Sequence, residues 1–518
     1  MSSGRAWILN RLTGNINAVR LTWRRVQFSP FVRDLAFTTF TSVATIVALV
    51  GATRLAADGL GPIGFGAYML ARRILATVDP LSTLAMGIAM TRYVALVDER
   101  SRHDYLLAGM VLAVGPAAVI LVMAWAFSGS LAVLFFRSPA YAPLVAATGL
   151  MIFGYSWFTI LYGWYRAVGR MSVANAWQLA TIALTPLALA AIFRRSGGET
   201  PIVWWTGVVL LAAAAPMLAE ALDGYRQGAA LRRGPVRALA VYGLPRVPGG
   251  LAFAGLLAVG PFIAPYFGSL KDVGYVAVGQ SILRVVESGT EAFGRVALPK
   301  LSRLMAADGL ARLEARIADV VAVVFHLGCF ATLQLWLWSG EMTRIWLGPQ
   351  YDDAVPVIRV IVIGVLPYLL FVTLRSIIDA IEEKAVNTTN LYASLAVTVV
   401  MALVLARLGY GAVGLAVATT LGFTLLGTLT FAALWRRVRF DTRPLLVPEC
   451  LALNALLAVA AALARAWWYA HPGAMPLPLA IVVIESLASA AYVAALWKLR
   501  ARWMGEVTRR VFAEEAVG

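Results

Sequence analysis

The segment KDVGYVAVGQSILRVVESGTEAFGRVALPK, residues 271–300, predicts an apolar helix that carries charge in its middle. It is long enough to cross the roughly 30 Å hydrocarbon core of a bilayer. With about 100° between successive residues, its charged side chains fall within an arc of about 80°, a face that Gln280 and Ser288 share. The charged residues on this face are Arg284, Glu287, Glu291 and Arg295. A charged face on a helix of this kind needs a partner or a cavity.

The composition predicts an all-α polytopic membrane protein. Of the 518 residues, 60% are hydrophobic and only 14% are charged, a balance typical of chains with many membrane spans. The net charge of +17 would suggest nucleic acid in a soluble protein, but the basic residues collect between apolar segments, so membrane topology explains them and no nucleic-acid partner is expected. The three histidines and two cysteines are scattered without ligand spacing, so no metal or cofactor is predicted.

Apolar segments of spanning length predict about fourteen transmembrane helices. They are spans 1 to 14 at 35–56, 65–96, 105–127, 141–165, 172–193, 202–222, 238–266, 273–299, 317–338, 354–381, 388–406, 411–434, 446–464 and 477–496. No loop on the predicted outer side exceeds about fifteen residues, which leaves no room there for a folded catalytic domain.

The chain repeats itself at an offset of 208 residues. Gly66-Ala67-Tyr68 matches Gly274-Tyr275-Val276, and the same offset places Asp79 on Glu287. Two six-helix lobes related by a pseudo-two-fold axis, plus two C-terminal helices, are therefore predicted. The expected divisions are a basic segment 1–34, an N-lobe 35–225, a linker 226–237, a C-lobe 238–437, spans 13 and 14 within 446–499, and a tail 500–518.

The distribution of basic residues predicts that both termini are cytoplasmic. Under that orientation 28 lysines and arginines lie in inner segments and 8 in outer loops, as the positive-inside rule requires. The first 34 residues alternate apolar and basic positions at helical spacing, which favours a basic interfacial helix. A disordered basic tail remains the alternative.

Several short motifs resemble one family. They are Gly59–Tyr68, Met86–Ala95, Leu298-Pro299-Lys300-Leu301-Ser302-Arg303-Leu304, Ile345–Tyr351 and Gly409–Gly414. Together they resemble the polysaccharide transporters of the multidrug/oligosaccharidyl-lipid/polysaccharide flippase superfamily over about residues 35 to 435. The two last helices and the long basic amino terminus depart from the shorter twelve-helix members of that family.

The resemblance implies a flippase in the cytoplasmic (inner) membrane that exports a polyprenyl-diphosphate-linked oligosaccharide by alternating access. Its expected partners are the lipid-linked oligosaccharide, membrane lipids and other polysaccharide-assembly proteins. Two alternatives stay open: a cation-coupled multidrug exporter of the same superfamily, and a membrane glycosyltransferase or polymerase. The short outer loops count against a glycosyltransferase or polymerase. Within the spans the basic residues slightly outnumber the acidic ones, which counts against a cation-coupled exporter.

Charges within the spans mark the candidate substrate cavity, because a charge near the bilayer centre costs at least about 2.5 to 3.5 kcal/mol. Arg284 could bind a diphosphate through two parallel hydrogen bonds. Glu287 and Glu291 could hold Arg284 in position or take up protons. Arg295 lies nearer the cytoplasmic surface. The alternative is a stripe that pairs with itself, since Arg284 and Glu287 are three residues apart and Glu291 and Arg295 four apart.

Three other spans carry charged candidates. Span 2 places Arg72 and Asp79 seven residues apart on one face, with Arg73 about 100° away and able to reach headgroups. In span 7, Arg246 stands between two prolines and two glycines, a pattern of interrupted helix at a cavity or at a hinge. Span 10 holds Arg375 and Asp379 at four-residue spacing, as a coupling or structural pair. Spans 2 and 8 are expected to face each other across the cavity.

The sequence holds neither a glycine-rich phosphate loop nor a catalytic triad, so a transporter without ATPase or covalent chemistry is predicted.

Overall fold

The computed structural model describes residues 30–193, 198–287, 310–381, 386–471 and 476–499. These residues are almost all helical and contain no strand. The predicted basic helix at 1–34, apart from its last residues, and the tail 500–518 lie outside the described residues. The described chain is an all-α, multi-pass membrane protein.

The helices are numbered in chain order. They are α1 Pro30–Thr83, α2 Met86–Tyr93, α3 Glu99–Ala126, α4 Ser128–Phe136, α5 Ala142–Ala167, α6 Met171–Phe193, α7 Glu199–Arg226, α8 Arg233–Phe267, α9 270–287, α10 Leu310–Leu337, α11 Ser339–Trp346, α12 Val355–Ile363, α13 Val365–Ile381, α14 Val386–Arg407, α15 Gly411–Val438, α16 Val447–Ala470 and α17 Leu477–Leu499.

Within the described ranges, 11 helices are long and apolar enough to cross a membrane, or 12 if α12 and α13, bent by 44° at their junction, form one span. One of the 11 is Phe37–Thr83, whose 47 residues would extend about 70 Å if straight, roughly twice the hydrocarbon thickness. It therefore holds the first predicted span and the larger part of the second. The total of fourteen stays a prediction.

The first two spans are joined by a kink in α1 where the sequence predicted a short loop. Gly61 has φ of 65°, and Pro62 follows it. Glycine adopts this left-handed conformation without the steric cost that a Cβ would impose. Proline then fixes a helical φ and needs no hydrogen-bond acceptor in the first turn of the next helix. The residues before and after the kink are called the first and second arms of α1.

The second span is interrupted near its predicted inner end. α1 stops at Thr83, Leu84 and Ala85 have positive φ, and α2 starts at Met86. Pro80 removes one helical hydrogen bond, and the hydroxyls of Ser82 and Thr83 donate to the carbonyl of Asp79. The chain breaks one turn after the proline.

α8 connects the two halves of the molecule and begins inside the predicted linker 226–237. Its first part, Arg233–Gly243, buries Leu239 among residues of α2, α3 and α7. A 3-10 turn at Leu244–Arg246 interrupts the helix, as the Pro and Gly pattern predicted. The remaining part, Val247–Phe267, packs mainly on α14, α15 and the second arm of α1.

Small residues allow the helices to approach closely, which matters because lipid is as apolar as a leucine side chain and burial alone does not drive helix association. Between α5 and α7, a Cβ on Gly154 would lie 2.7 Å from the carbonyl oxygen of Gly207. The last two helices pack on α10, where Leu457, Ala461 and Tyr492 are buried against its side chains. Trp338 also donates a hydrogen bond to Glu485 of α17.

Candidate substrate cavity between the two halves

The second arm of α1 and α9 meet at the two glycines that the sequence repeat aligns. A Cβ on Gly274 would lie 3.5 Å from the Cα of Gly66, and a Cβ on Gly66 only 1.7 Å from the carbonyl oxygen of Leu270. Helices related by a two-fold axis meet at equivalent residues, so this contact is the one that the repeat predicts. Only glycine fits at Gly66, because the obstructing atom belongs to the backbone.

Hydrogen bonds join the first arm of α1 to residues 345–351, close to these two glycines. Arg54 of the first arm donates to the carbonyls of Ile345 and Trp346, the latter at 2.9 Å. The Trp346 indole donates to Val50 O at 3.0 Å. The fully buried Tyr351 donates to Ala57 O, also at 3.0 Å. We call this region, from Arg54 to Gly66 with Gly274 and Ile345–Tyr351, the closed junction.

A cavity of about 190 Å³ lies beside the closed junction, between the first arm of α1, its second arm and α9. Its apolar lining comes from both arms of α1, from Val285 of α9 and from Trp346. Its polar lining residues are Thr53, Arg72, Arg73, Ser281 and Arg284. None of the described residues that line it is acidic. We call it the arginine cavity; it brings Arg72 of span 2 and Arg284 of span 8 to one place.

Arg73 is the residue that sequence reasoning missed. One of its terminal nitrogens donates to Oε1 of Gln280 at 2.6 Å, so it spans from α1 to α9. Arg72 lies over the ring of Tyr68, with 5.7 Å between its guanidinium carbon and the ring centroid. The side chains leave the helix about 100° apart, but both are long enough to reach the cavity. Gln280, which shares the charged face of the helix, was the available signal.

Glu287 is held by a tyrosine of the second half. The hydroxyl of Tyr368 donates to its Oε2 at 2.5 Å. The tyrosine ring is buried, in edge contact with Phe423 and stacked on Phe253. A charged acceptor strengthens such a bond. Glu287 is therefore anchored within the second half, one helical turn beyond Arg284.

Asp79, the repeat counterpart of Glu287, has different surroundings. Its Oδ1 is buried and has no hydrogen-bond partner among the described residues. The residue lies about two turns beyond Arg72 on the second arm, and it is not among the described residues that line the arginine cavity. The repeat therefore relates the positions of the two carboxylates, and their environments differ.

The structure does not bring the other predicted candidates to the arginine cavity. Arg246 is exposed; its guanidinium lies 3.6 Å from the ring centroid of Tyr242 and donates to the carbonyl of that residue. Arg375 lies over the rings of Phe253 and Phe371. Asp379 accepts a hydrogen bond from Asn387 at 2.7 Å.

The predicted Arg375–Asp379 pair forms no ion pair within the described part of the chain. Asn387 explains this, because its side-chain amide donates both to Asp379 and to the backbone carbonyl of Arg375, at 2.7 Å each. Glu291 and Arg295, the remaining members of the charged face, lie outside the described residues, as does the motif Leu298–Leu304.

Comparison of sequences gives no match, either to a family model or to a curated protein. Comparison of structures finds clear matches. The lipid II flippase MurJ in an inward closed conformation matches 91% of this chain and 99% of its own, with a TM-score of 0.71 at 11% identity. An inward-facing multidrug resistance MATE family transporter of the MOP superfamily matches 77% and 98%, with a TM-score of 0.62 at 13% identity.

The MATE transporter VcmN of Vibrio cholerae, in its bent form, matches 79% of this chain and 98% of its own, with a TM-score of 0.53 at 16% identity. At such identities the likeness concerns the fold. The expected fold class is confirmed: two bundles related by a pseudo-two-fold axis, with two further C-terminal helices.

Proposed function

We propose that this chain, which has the fold of the multidrug/oligosaccharidyl-lipid/polysaccharide flippase superfamily, moves a polyprenyl-diphosphate-linked oligosaccharide from the inner to the outer leaflet. The observation that carries the proposal is the arginine cavity, where Arg72, Arg73 and Arg284 converge from both halves. Three guanidinium groups brought close together repel one another, and an anion that they share lowers that repulsion.

A diphosphate suits this arrangement. Guanidinium groups are planar forks that bind phosphate oxygens through two parallel hydrogen bonds, and they stay charged when partly desolvated. Because Arg73 and Arg284 belong to different halves, a diphosphate held by both would link the halves. Its release would let them separate, as alternating access requires.

The apolar wall of the cavity suits the polyprenyl chain. Ile46, Leu49 and Val50 of the first arm face Val285 of α9 across it. Val47 and Val285 are also exposed on the surface of the bundle, where lipid surrounds the protein. A diphosphate at the arginines could thus keep its apolar chain in the bilayer.

The energy for transport would come from the membrane. The sequence lacks a phosphate-binding loop for ATP. Moving one charge through 100 mV yields about 2.3 kcal/mol, and a diphosphate carries enough charge for the potential to contribute. We place the protein in the cytoplasmic membrane with both termini inside, on the basic-residue count, and expect other polysaccharide-assembly proteins to supply and use the substrate.

Reconstitution tests the proposal. Vesicles that contain the full-length protein and a fluorescent undecaprenyl-diphosphate oligosaccharide would be assayed for label that reaches the opposite leaflet. The wild type should transport it, and the double variant Arg73→Gln, Arg284→Gln should lose at least about 100-fold in rate, since two charge-assisted contacts at about 1.5 kcal/mol each are removed. Arg166→Gln is the matched control, because Arg166 is exposed and stacks on Tyr162 away from the cavity. No transport by the wild type, or full transport by the double variant, would refute the proposal.

The second candidate is a cation-coupled multidrug exporter, which the MATE neighbours favour. An organic cation would meet three arginines in this cavity, so the charge of the lining counts against it. The same vesicles, loaded with a cationic dye and given a sodium or proton gradient, separate the two functions. Dye efflux that survives in the double arginine variant would support the exporter.

A further inference from the structure

A second polar cavity lies where α11 and α12 meet the C-terminal end of α16. Its volume is about 320 Å³. It is distinct from the arginine cavity and shares no lining residue with it. The side chains that carry the argument are Glu341, Arg344, Asp352, Arg359, Arg465 and Tyr469.

Glu341 is the buried centre of this cluster, with 2% of its surface exposed. Its Oε1 accepts hydrogen bonds from Nε of Arg465 at 2.5 Å and from the hydroxyl of Tyr469 at 2.9 Å. Its Oε2 is buried and has no hydrogen-bond partner among the described residues. Buried carboxylate oxygens are normally satisfied, so this atom calls for a donor from outside the chain.

Two of the three arginines are already neutralised. Arg465 pairs with Glu341, and Arg344 forms a forked ion pair with Asp352, with contacts of 2.9 and 2.8 Å. Arg359 differs. Its Nε donates to Ser339 Oγ at 3.0 Å and its guanidinium carbon lies 5.2 Å from the centroid of the Trp336 ring. It has no ion pair within the described ranges.

The cluster therefore has one positive charge in excess, three arginines against two carboxylates, and that charge is Arg359. It also offers an unsatisfied acceptor in Glu341. The surrounding residues belong to the ends of spans: α10 ends at Leu337 and α16 at Ala470. Span ends lie at the level of the headgroups.

We propose that this cavity binds a phosphate monoanion that carries hydroxyl groups, the chemistry of a glycerophosphate headgroup. The terminal nitrogens of Arg359 bind the phosphate, and Glu341 Oε2 accepts a hydrogen bond from a hydroxyl. Because Arg359 belongs to α12 while Arg465 and Tyr469 belong to α16, the bound headgroup fastens the C-terminal pair α16 and α17 to the rest of the bundle. This assignment does not rest on the proposed transport function.

Native mass spectrometry of the full-length protein from nanodiscs tests it. With equal amounts of phosphatidylglycerol and phosphatidylethanolamine, the wild type should retain phosphatidylglycerol at least about tenfold more often. Arg359→Gln should lose this preference, whereas Arg407→Gln, which removes an exposed arginine at the end of α14, should keep it. Equal retention of the two lipids by the wild type, or an unchanged preference in Arg359→Gln, would overturn the proposal.

Two further measurements complete the test. Free glycerol 1-phosphate at millimolar concentration should displace the lipid only if the site takes soluble phosphates; displacement assigns it to a solute, and retention assigns it to the lipid. If Arg359→Gln does not yield folded protein, Arg359→Lys takes its place. Lysine keeps the charge but not the fork, so retention should fall several-fold, and an unaltered affinity in that variant would also contradict the assignment.

Discussion

α1 meets the second half of the chain at two adjacent places of opposite character. At the closed junction every contact is neutral or satisfied: Gly66 touches Gly274, Tyr351 donates to a carbonyl, and Trp346 does the same. One turn or two further along, Arg72 and Arg73 share the arginine cavity with Arg284. The junction is complete without a ligand, while the cavity concentrates like charge. The junction should thus determine stability, and the cavity should determine what is transported.

The largest effect on stability is expected at the closed junction, from Gly66→Ala. The added methyl group would lie 1.7 Å from the carbonyl oxygen of Leu270, so α1 and α9 must move apart. Overpacking typically costs about 1 to 3 kcal/mol, and the upper end is expected here because the obstructing atom belongs to the backbone. The apparent melting temperature in detergent should fall by several degrees or the folded protein should be lost.

Gly115→Ala provides the control for that substitution. Gly115 lies inside α3, and a Cβ there would meet nothing within 4 Å. Alanine is the better helix former, so this variant should be as stable as the wild type or up to about 1 kcal/mol more stable. If Gly66→Ala and Gly115→Ala have the same apparent melting temperature, α1 and α9 do not pack tightly at the closed junction.

A smaller effect is expected at Tyr368, which anchors the glutamate next to the arginines. Tyr368→Phe removes the donor to Glu287 Oε2. A hydrogen bond to a charged group contributes about 1.5 to 3 kcal/mol. We therefore expect the free energy of unfolding, measured by thermal unfolding, to fall by about 2 kcal/mol. Tyr392→Phe, at an exposed tyrosine of α14, should have almost no effect. If the two variants melt alike, Glu287 is held by other groups.

The elements that the sequence could and could not predict differ for a physical reason. Arg72 and Arg284 were placed on one cavity because a charge on an apolar helix must avoid lipid, and the repeat at 208 residues brought the two helices together. Arg73 was missed because its reach depends on the space that neighbouring helices leave. The break at Leu244–Arg246 followed from its prolines, but the direction of Arg246 is set by packing on Tyr242.

The second polar cavity was beyond sequence reasoning for a related reason. Glu341 and Arg465 are 124 residues apart and belong to segments that look like ordinary span ends. Helical periodicity shows which face of one helix is polar, and it does not show which two polar ends meet. The packing of α16 on α10 decides that.

A loss of about 1 kcal/mol is expected at the hydroxyl that joins the first arm to the second half. Tyr351→Phe keeps the buried ring against Phe65 and removes only the donor to Ala57 O. A neutral hydrogen bond contributes about 0.5 to 1.5 kcal/mol. Unfolding in detergent would measure the loss, with Tyr410→Phe, at an exposed tyrosine, as the reference. A cost as large as that of Gly66→Ala would mean that the hydrogen bond, rather than the glycine contact, holds the junction.

The smallest effect on stability is expected inside the arginine cavity, from Arg72→Gln. Loss of the contact with Tyr68 costs about 0.5 kcal/mol, and relief of repulsion from Arg73 and Arg284 returns a similar amount. The free energy of unfolding should therefore change by less than about 0.5 kcal/mol. Transport of the lipid-linked oligosaccharide should nevertheless fall about tenfold, and Arg72→Lys should restore part of it because the charge returns without the fork. Arg72→Gln and Tyr351→Phe together separate the two regions when both are unfolded in detergent and both are assayed for transport in vesicles. Arg72→Gln should lose transport at constant stability. If Arg72→Gln instead melts early and still transports, Arg72 supports the bundle and takes no part in binding.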